Sequence, residues 1–104
     1  MNIKSTADIR GLHPNFRYAL PIADRLWKDN GHELTVTSGT DGRHSAGSLH
    51  YSGRAVDLRT RYFNSHIAAQ IAVELQEKLG CLFHVLYENQ GQVGEHIHVG
   101  YLGY

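Results

Sequence analysis

The sequence predicts an α+β fold: one small domain spanning residues 1–104, with two main helices packed on one face of a largely antiparallel sheet. Three observations support this prediction. The length of 104 residues is close to the commonest domain size. Two segments repeat apolar residues at helical spacing, whereas four others have the alternation or β-branched content of strands. Their order is helix, strand, long loop, strand, helix, strand, strand, which is typical of α+β domains.

The first predicted helix follows a polar lead-in, residues 1–12, in which we expect at most a short helical turn. Pro14 suits the first helical position, and Gly31 can adopt the left-handed conformation that ends a helix. Pro21 removes a backbone hydrogen bond, so the helix either kinks there or its main part begins at Leu20. An apolar stripe at helical spacing predicts the face that packs in the core: Phe16, Leu20, Ala23 and Trp27.

The second helix has the clearest pattern in the chain. Asn64 suits its N-cap and Gly80 its C-terminal stop. Its apolar residues recur every four positions, at Ile67, Ile71, Leu75 and Leu79. Strands are predicted at residues 33–38, 54–59, 81–88 and 95–101, and the last two are expected to pair as a hairpin.

The composition excludes several classes of protein. Ten Lys and Arg balance ten Asp and Glu, so no strong field attracts a phosphate backbone and we expect no nucleic-acid partner. No run of 18 apolar residues predicts membrane insertion, and the N-terminus lacks the apolar segment of a secretory signal, so we expect cytoplasmic synthesis. The single cysteine, Cys81, excludes an internal disulfide, and its apolar surroundings predict a buried, inert thiol. The sequence does not determine the oligomeric state, and we expect a monomer.

Residues 39–53 form a long predicted loop with four glycines, and long ordered loops are usually functional. His50 lies near its end, where Gly53 gives the backbone freedom to turn His50 toward the next strand. Asp57 interrupts that otherwise apolar strand, and an unpaired buried carboxylate is costly. Asp57 therefore either binds a metal ion or forms a salt bridge with an arginine. The candidate arginines are Arg54, Arg59 and Arg61.

His96 and His98 lie two residues apart on a predicted strand, so both side chains project from the same face. The alternative interpretation is a polar outer face of an amphipathic strand. Together with Asp57 and His50, however, one of these histidines completes a set of two imidazoles and one carboxylate, which is three ligands for one zinc ion. Three protein ligands leave a fourth tetrahedral position open to water, which is the pattern of catalytic zinc rather than structural zinc.

The same residues resemble the zinc D,D-peptidases and the related Hedgehog signalling domain. The family pattern S-x-H-x-x-G-x-A-x-D is matched at Ser48, His50, Gly53, Ala55 and Asp57. An acidic residue three positions before the last histidine ligand is the second family element, present here as Glu95 before His98. The resemblance covers about residues 36–100. The family includes D-Ala-D-Ala dipeptidases, D-Ala-D-Ala carboxypeptidases and phage L-alanyl-D-glutamate endopeptidases.

Carried over residue by residue, the resemblance implies that His50, Asp57 and His98 bind zinc, one ion per chain, and that Glu95 is the general base. Glu95 lies three residues before His98, so on a regular strand the two side chains would project from opposite faces. Gly94 allows the turn that brings Glu95 to His98. Glu88 resembles the acidic residue in the Tyr-Glu-Ser run of Hedgehog domains and is a second candidate for the base.

Stabilisation of an oxyanion requires a donor beside the metal. Arg43 matches the position of the family's loop arginine, and His96 stands two before the last ligand, as in Hedgehog-like members. His44 is a third candidate for this role and a candidate substrate-binding residue. Ser48 is expected either to orient the loop or to contact the substrate peptide.

The function implied by the resemblance is a zinc metallopeptidase, of D,D-carboxypeptidase or L,D-endopeptidase type, that hydrolyses peptide bonds of bacterial peptidoglycan. A cell-wall substrate for a chain without a secretory signal suggests phage-type release, as in an endolysin, or delivery in a virion. The alternative is a non-catalytic zinc-binding recognition module of the same fold. A metal-dependent nuclease built on the two histidines is disfavoured by the zero net charge.

Overall fold

The computed structural model describes residues 1–41 and 49–103, and within these residues the chain forms two α-helices and one five-stranded sheet. The sheet order is β1-β2-β3-β5-β4. A short 3₁₀ helix, Leu49–Ser52, precedes β3. The elements are β1 (Asn2–Ile3), α1 (Phe16–Asp29), β2 (Thr35–Ser38), β3 (Ala55–Arg59), α2 (Ser65–Leu79), β4 (Phe83–Glu88) and β5 (His96–Tyr101).

The second helix forms where the sequence predicts it. The side chain of Asn64 accepts a hydrogen bond from the backbone N–H of Ile67 at 2.9 Å, which satisfies one of the unpaired donors of the first turn. Gly80 follows the helix with φ +81°, in the left-handed region that favours glycine. Both predicted ends of α2 are therefore confirmed.

The first helix is a single segment that begins at Phe16, two residues after Pro14, and contains Pro21. Of the two alternatives, a main helix that begins at Leu20 is therefore wrong, and Pro14 lies before the N-cap Asn15 instead of at the first helical position. Proline removes only one backbone hydrogen bond, and the helix is held mainly by its buried face, which includes Phe16 and Trp27. Gly31 follows it with φ +88°, as the sequence predicts.

The sheet is mixed rather than wholly antiparallel. The pairs β2–β3, β3–β5 and β4–β5 are antiparallel, and the last is the predicted hairpin. β1 pairs parallel to β2, through hydrogen bonds that include Asn2 N–H to the Leu34 carbonyl at 2.7 Å. The lead-in thus contains a strand that was not predicted, followed by hydrogen-bonded turns, one of them closed by Leu12 N–H to the Ile9 carbonyl at 3.4 Å. A strand of two residues is too short to show an alternating pattern.

Both helices contribute to one core with the strands. Val56 and Leu58 of β3, and Ile97 and Val99 of β5, are almost fully buried in the same cluster as the apolar faces of the helices. Because side chains alternate along a strand, Asp57 and His98 lie on the opposite face of the sheet. The fold therefore leaves one face of the sheet for polar groups.

Cys81 is exposed, so the prediction of a buried thiol is wrong. The residue lies between the end of α2 and the beginning of β4 at Phe83, and the apolar segment enters the core only at Phe83. In the part of the chain that the structure describes, neither helix is long and apolar enough to cross a membrane.

Candidate metal centre

The polar face of the sheet carries the centre of the site. Asp57 of β3 and His98 of β5 are directly opposite each other in the antiparallel pairing. Residues in this relation have side chains about 5 Å apart at Cβ. Asp57 Oδ1 lies 3.1 Å from His98 Nδ1. Strand pairing therefore brings together two ligands that are 41 positions apart in the sequence.

His50 reaches the same point from the 3₁₀ helix and is 2% exposed. Gly53 ends this helix with φ +72°, which confirms that the position needs the conformational freedom of glycine. A second reason is steric, because a Cβ at Gly53 would overlap the backbone carbonyl of Gly11. The glycine of the family pattern thus allows both the turn and the close packing of the N-terminal segment against it.

The three predicted metal ligands converge. Asp57 Oδ1 lies 3.2 Å from His50 Nε2. One ligand atom from each of His50, Asp57 and His98 lies within 4.8 Å of the other two. This spacing allows all three to bind a single metal ion, as predicted.

The hydrogen bonding of His50 fits a metal ligand. Its Nδ1 lies 2.7 Å from the carbonyl oxygen of Gly39, which can only accept, so Nδ1 carries a proton. In the neutral ring, Nε2 then presents a lone pair to Asp57 Oδ1. These two atoms can lie 3.2 Å apart stably only with a proton or a metal cation between them. A backbone carbonyl on the second ring nitrogen is the usual support of a metal-binding histidine.

The charges of the site agree with this arrangement. Burial alone would raise the pKa of Asp57, but hydrogen bonds from His50 and His98 hold it well below its usual range. Burial likewise lowers the pKa of His50, but the hydrogen bond and the charge of Asp57 outweigh it and raise the pKa. Asp57 is therefore an anionic ligand that attracts positive charge.

His96 lies beside the three ligands. Its Nε2 is 3.6 Å from Asp57 Oδ1 and 3.3 Å from Glu88 Oε1. Its Nδ1–H donates to the carbonyl of Gly94 at 2.8 Å, which fixes the ring so that Nε2 faces the site. His96 therefore lies beside the candidate ligands, and its role as a donor to an oxyanion stays a prediction.

The two candidate carboxylates have different surroundings. Glu88 is opposite His96 in the hairpin, and its Oε1 is 3.9 Å from His98 Nδ1. Glu95 lines the same cleft as Asp57 and His96. Its Oε2 accepts hydrogen bonds from Tyr87 at 2.6 Å and Thr60 at 3.2 Å. Among the described residues, His96 and His98 form ion pairs with Glu88 and not with Glu95.

Gly94 precedes Glu95 with φ +84°, so the backbone turns there, but the described side-chain contacts of Glu95 are with Tyr87 and Thr60 and not with His98. Burial and the hydrogen bond to Glu95 raise the pKa of Tyr87 to about 12. Tyr87 therefore stays a donor to the carboxylate at neutral pH. Tyr87 of β4 and Thr60, which follows β3, were not predicted as part of the site, because single hydroxyl residues have no distinctive spacing.

Other predicted residues have different outcomes. Arg43, His44 and Ser48 lie outside the described residues. The alternative salt bridge of Asp57 to an arginine is not observed among the described residues, since the ionic partners of Asp57 are histidines. Arg54 instead donates to the carbonyl of Gly103 at 2.6 Å.

No established family model matches the sequence. The metal centre therefore stands on the chain's own geometry: two imidazoles and one carboxylate, with a third imidazole and a glutamate beside them. Nitrogen donors from histidine suit transition metals such as zinc better than calcium or magnesium, which prefer oxygen ligands.

Proposed function

We propose that this chain is a zinc metallopeptidase that hydrolyses peptide bonds of bacterial peptidoglycan, in a stem peptide or a cross-link that contains D-amino acids. The observation that carries the proposal is the convergence of His50, Asp57 and His98 on one point. These three residues match the ligand positions of the zinc D,D-peptidase pattern that the sequence resembles. The substrate class comes from that resemblance.

The residues divide into two roles. His50, Asp57 and His98 would hold zinc, which when bound polarises a carbonyl and lowers the pKa of a bound water to about 7. The Gly39 carbonyl holds His50 in the tautomer whose Nε2 is the ligand atom. The antiparallel pairing of β3 and β5 holds Asp57 and His98 in place before the metal binds.

Glu95 is our proposed general base. Tyr87 and Thr60 both donate to its Oε2, so the carboxylate is held in one position and Oε1 is left to accept a proton. A positioned carboxylate can take the proton of water and return it to the leaving amine. Glu88 is the competing candidate because it contacts the histidines directly, although its side chain is 45% exposed. Hydrogen bonds of a base often shorten only when substrate binds, so distance alone does not decide between them.

His96 and Arg43 are the proposed donors to the developing oxyanion. His96 Nε2 faces the site at 3.6 Å from Asp57 Oδ1. When protonated on both nitrogens, His96 can donate from Nε2 while Nδ1–H remains bonded to Gly94. Arg43 is proposed for this role because its sequence position matches that of the family's loop arginine. His44 remains the third candidate.

Metal analysis and digestion of purified peptidoglycan test the proposal together. We expect about one zinc per chain, as a set of three ligands implies, and fragments whose masses identify one cleaved peptide bond. His50→Ala should lose both zinc and activity. A protein that binds zinc but releases no fragment would instead be the non-catalytic recognition module, and one that binds no zinc at neutral pH would exclude the metal centre.

Paired glutamine variants identify the base. Glu95→Gln should retain zinc and lose activity by about 100-fold or more, the usual contribution of a general base. Glu88→Gln is the matched control because it removes the same charge from the other side of the site. If Glu88→Gln is inactive and Glu95→Gln is not, the base is Glu88. If both variants keep full activity, neither carboxylate is the base.

A further inference from the structure

A cleft of about 420 Å³ opens beside the metal centre, and three cationic side chains line it. These are Lys4, Arg59 and Arg61. Asp57 and His96 line the same cleft, so it is continuous with the polar face of the sheet that carries the ligands. A ligand in this cleft would lie next to the metal.

Arg59 is the cation best placed to contact such a ligand. It follows Asp57 by two residues on β3, so both side chains project from the same face of the sheet. Residues in this relation are about 7 Å apart. Arg59 is also the direct strand partner of His96. The spacing corresponds to about two residues of an extended peptide.

The three cations form no ion pair within the part of the chain that the structure describes. The described ion pairs of lysine and arginine lie elsewhere and involve Arg10, Arg25 and Lys28. The two acidic residues of the cleft are already engaged, Asp57 by histidines and Glu95 by Tyr87 and Thr60. Three cations against two carboxylates, Asp57 and Glu95, leave a net positive charge in the cleft beside the metal centre.

We infer that this cleft binds a carboxylate of the peptide substrate, with Arg59 as the main contact and Lys4 and Arg61 at its rim. The inference rests on the proposed peptidase function and adds a specificity to it. The planar guanidinium of Arg59 can donate two parallel hydrogen bonds to a carboxylate. A peptide held in this way would place a bond about two residues from its carboxylate at the metal. The carboxylate is either the C-terminus of the peptide or an acidic side chain.

Matched synthetic peptides test the inference with the zinc-loaded, full-length protein. One peptide of D- and L-alanine and lysine has a free C-terminus, the second has an amidated C-terminus, and the third has an amidated C-terminus and one glutamate side chain. We expect the wild-type protein to favour a peptide with a carboxylate over the amide by about tenfold or more in kcat/KM, the usual effect of a hydrogen bond to a charged group. Comparison of the first and third peptides shows which carboxylate is recognised.

Arg59→Gln should abolish this preference by raising KM for the carboxylate peptide, with little change for the amide. Arg17→Gln is the matched control, because Arg17 is exposed on α1 and does not line the cleft. If Arg59→Gln does not fold, as judged by circular dichroism, Arg61→Gln supplies a milder variant at an exposed position. Equal kcat/KM for all three peptides, or a preference that survives in both cleft variants, would overturn the inference.

Equilibrium binding to the metal-free protein separates this inference from the proposed function. If no peptide is cleaved but the carboxylate peptides bind more tightly than the amide in an Arg59-dependent way, the cleft assignment holds and the peptidase proposal fails. If peptides are cleaved without regard to their carboxylates, the peptidase proposal holds and the cleft assignment fails.

Discussion

Asp41 joins the N-terminal segment to the end of β2 near the metal centre, and its removal should weaken both folding and metal binding. Its Oδ1 accepts hydrogen bonds from the backbone N–H groups of Gly39 at 2.7 Å and Asp8 at 2.8 Å. Its Oδ2 accepts one from Ser38 Oγ at 3.3 Å. Gly39 is the residue whose carbonyl orients His50, so Asp41 supports a metal ligand through one intermediate residue.

The variant Asp41→Ala removes all three of these acceptor contacts. Hydrogen bonds to a charged acceptor contribute about 1.5–3 kcal/mol each, but water replaces part of this at a half-buried site, so we expect a total loss of about 2–3 kcal/mol in the free energy of unfolding. Loss of a supporting hydrogen-bond partner typically weakens metal affinity by about 10- to 100-fold. We expect an effect within this range, because Asp41 holds Gly39, whose carbonyl orients His50, and the charge of Asp41 also acts on His50.

The effect should depend on pH in a defined direction. Burial alone would raise the pKa of Asp41, but the backbone hydrogen bonds from Asp8 and Gly39 outweigh it and lower the pKa. A carboxyl with a lowered pKa stabilises the fold fully above its unfolded value of about 3.9, and this stabilisation is lost as the pH falls through the folded pKa. The stability difference between wild type and Asp41→Ala should therefore be largest at neutral pH and shrink below about pH 4.

Urea unfolding followed by tryptophan fluorescence measures the effect, because the only tryptophan, Trp27, is fully buried. Competition with a chromophoric chelator measures zinc affinity. Asp29→Asn is the matched control, since it also removes one carboxylate charge but breaks only an exposed ion pair with Arg25, worth about 0.3–0.5 kcal/mol. Equal unfolding midpoints and equal zinc affinities in the two variants would refute the role assigned to Asp41.

Two further substitutions test the packing of the site. Gly53→Ala should reduce the free energy of unfolding by at least about 1–2 kcal/mol, the cost of a left-handed residue, because its Cβ also overlaps the Gly11 carbonyl; an unchanged urea midpoint would contradict this. Tyr87 has a raised pKa of about 12, so its stabilising effect is complete below about pH 10 and is lost as the pH rises toward 12. Between about pH 10 and 12, the urea midpoint of Tyr87→Phe should therefore change less with pH than that of wild type. Midpoints that fall in parallel for the two proteins over this range would exclude the effect.

Much of the fold follows from local sequence signals. The ends of α2 are encoded by Asn64 and Gly80, whose side-chain and backbone properties act within one turn of the helix. The hairpin of β4 and β5 follows from two short strands joined by a short turn. The pairing of β1 with β2 was not predicted, because a two-residue strand derives its stability from a partner more than 30 positions away rather than from its own pattern.

The sequence by itself placed His50 and Asp57 at a fixed spacing around Gly53 and put His96 and His98 on one strand face, and the resemblance to the zinc D,D-peptidases then selected His98 as the third candidate ligand. Only the tertiary structure decided what surrounds them: the Gly39 carbonyl on His50, the hydroxyl donors on Glu95, and Arg59 in the adjacent cleft. Spacing within one segment is visible in a sequence because side-chain direction follows backbone period. A contact between segments depends on strand pairing and loop packing, and a backbone carbonyl such as that of Gly39 has no residue type to reveal it.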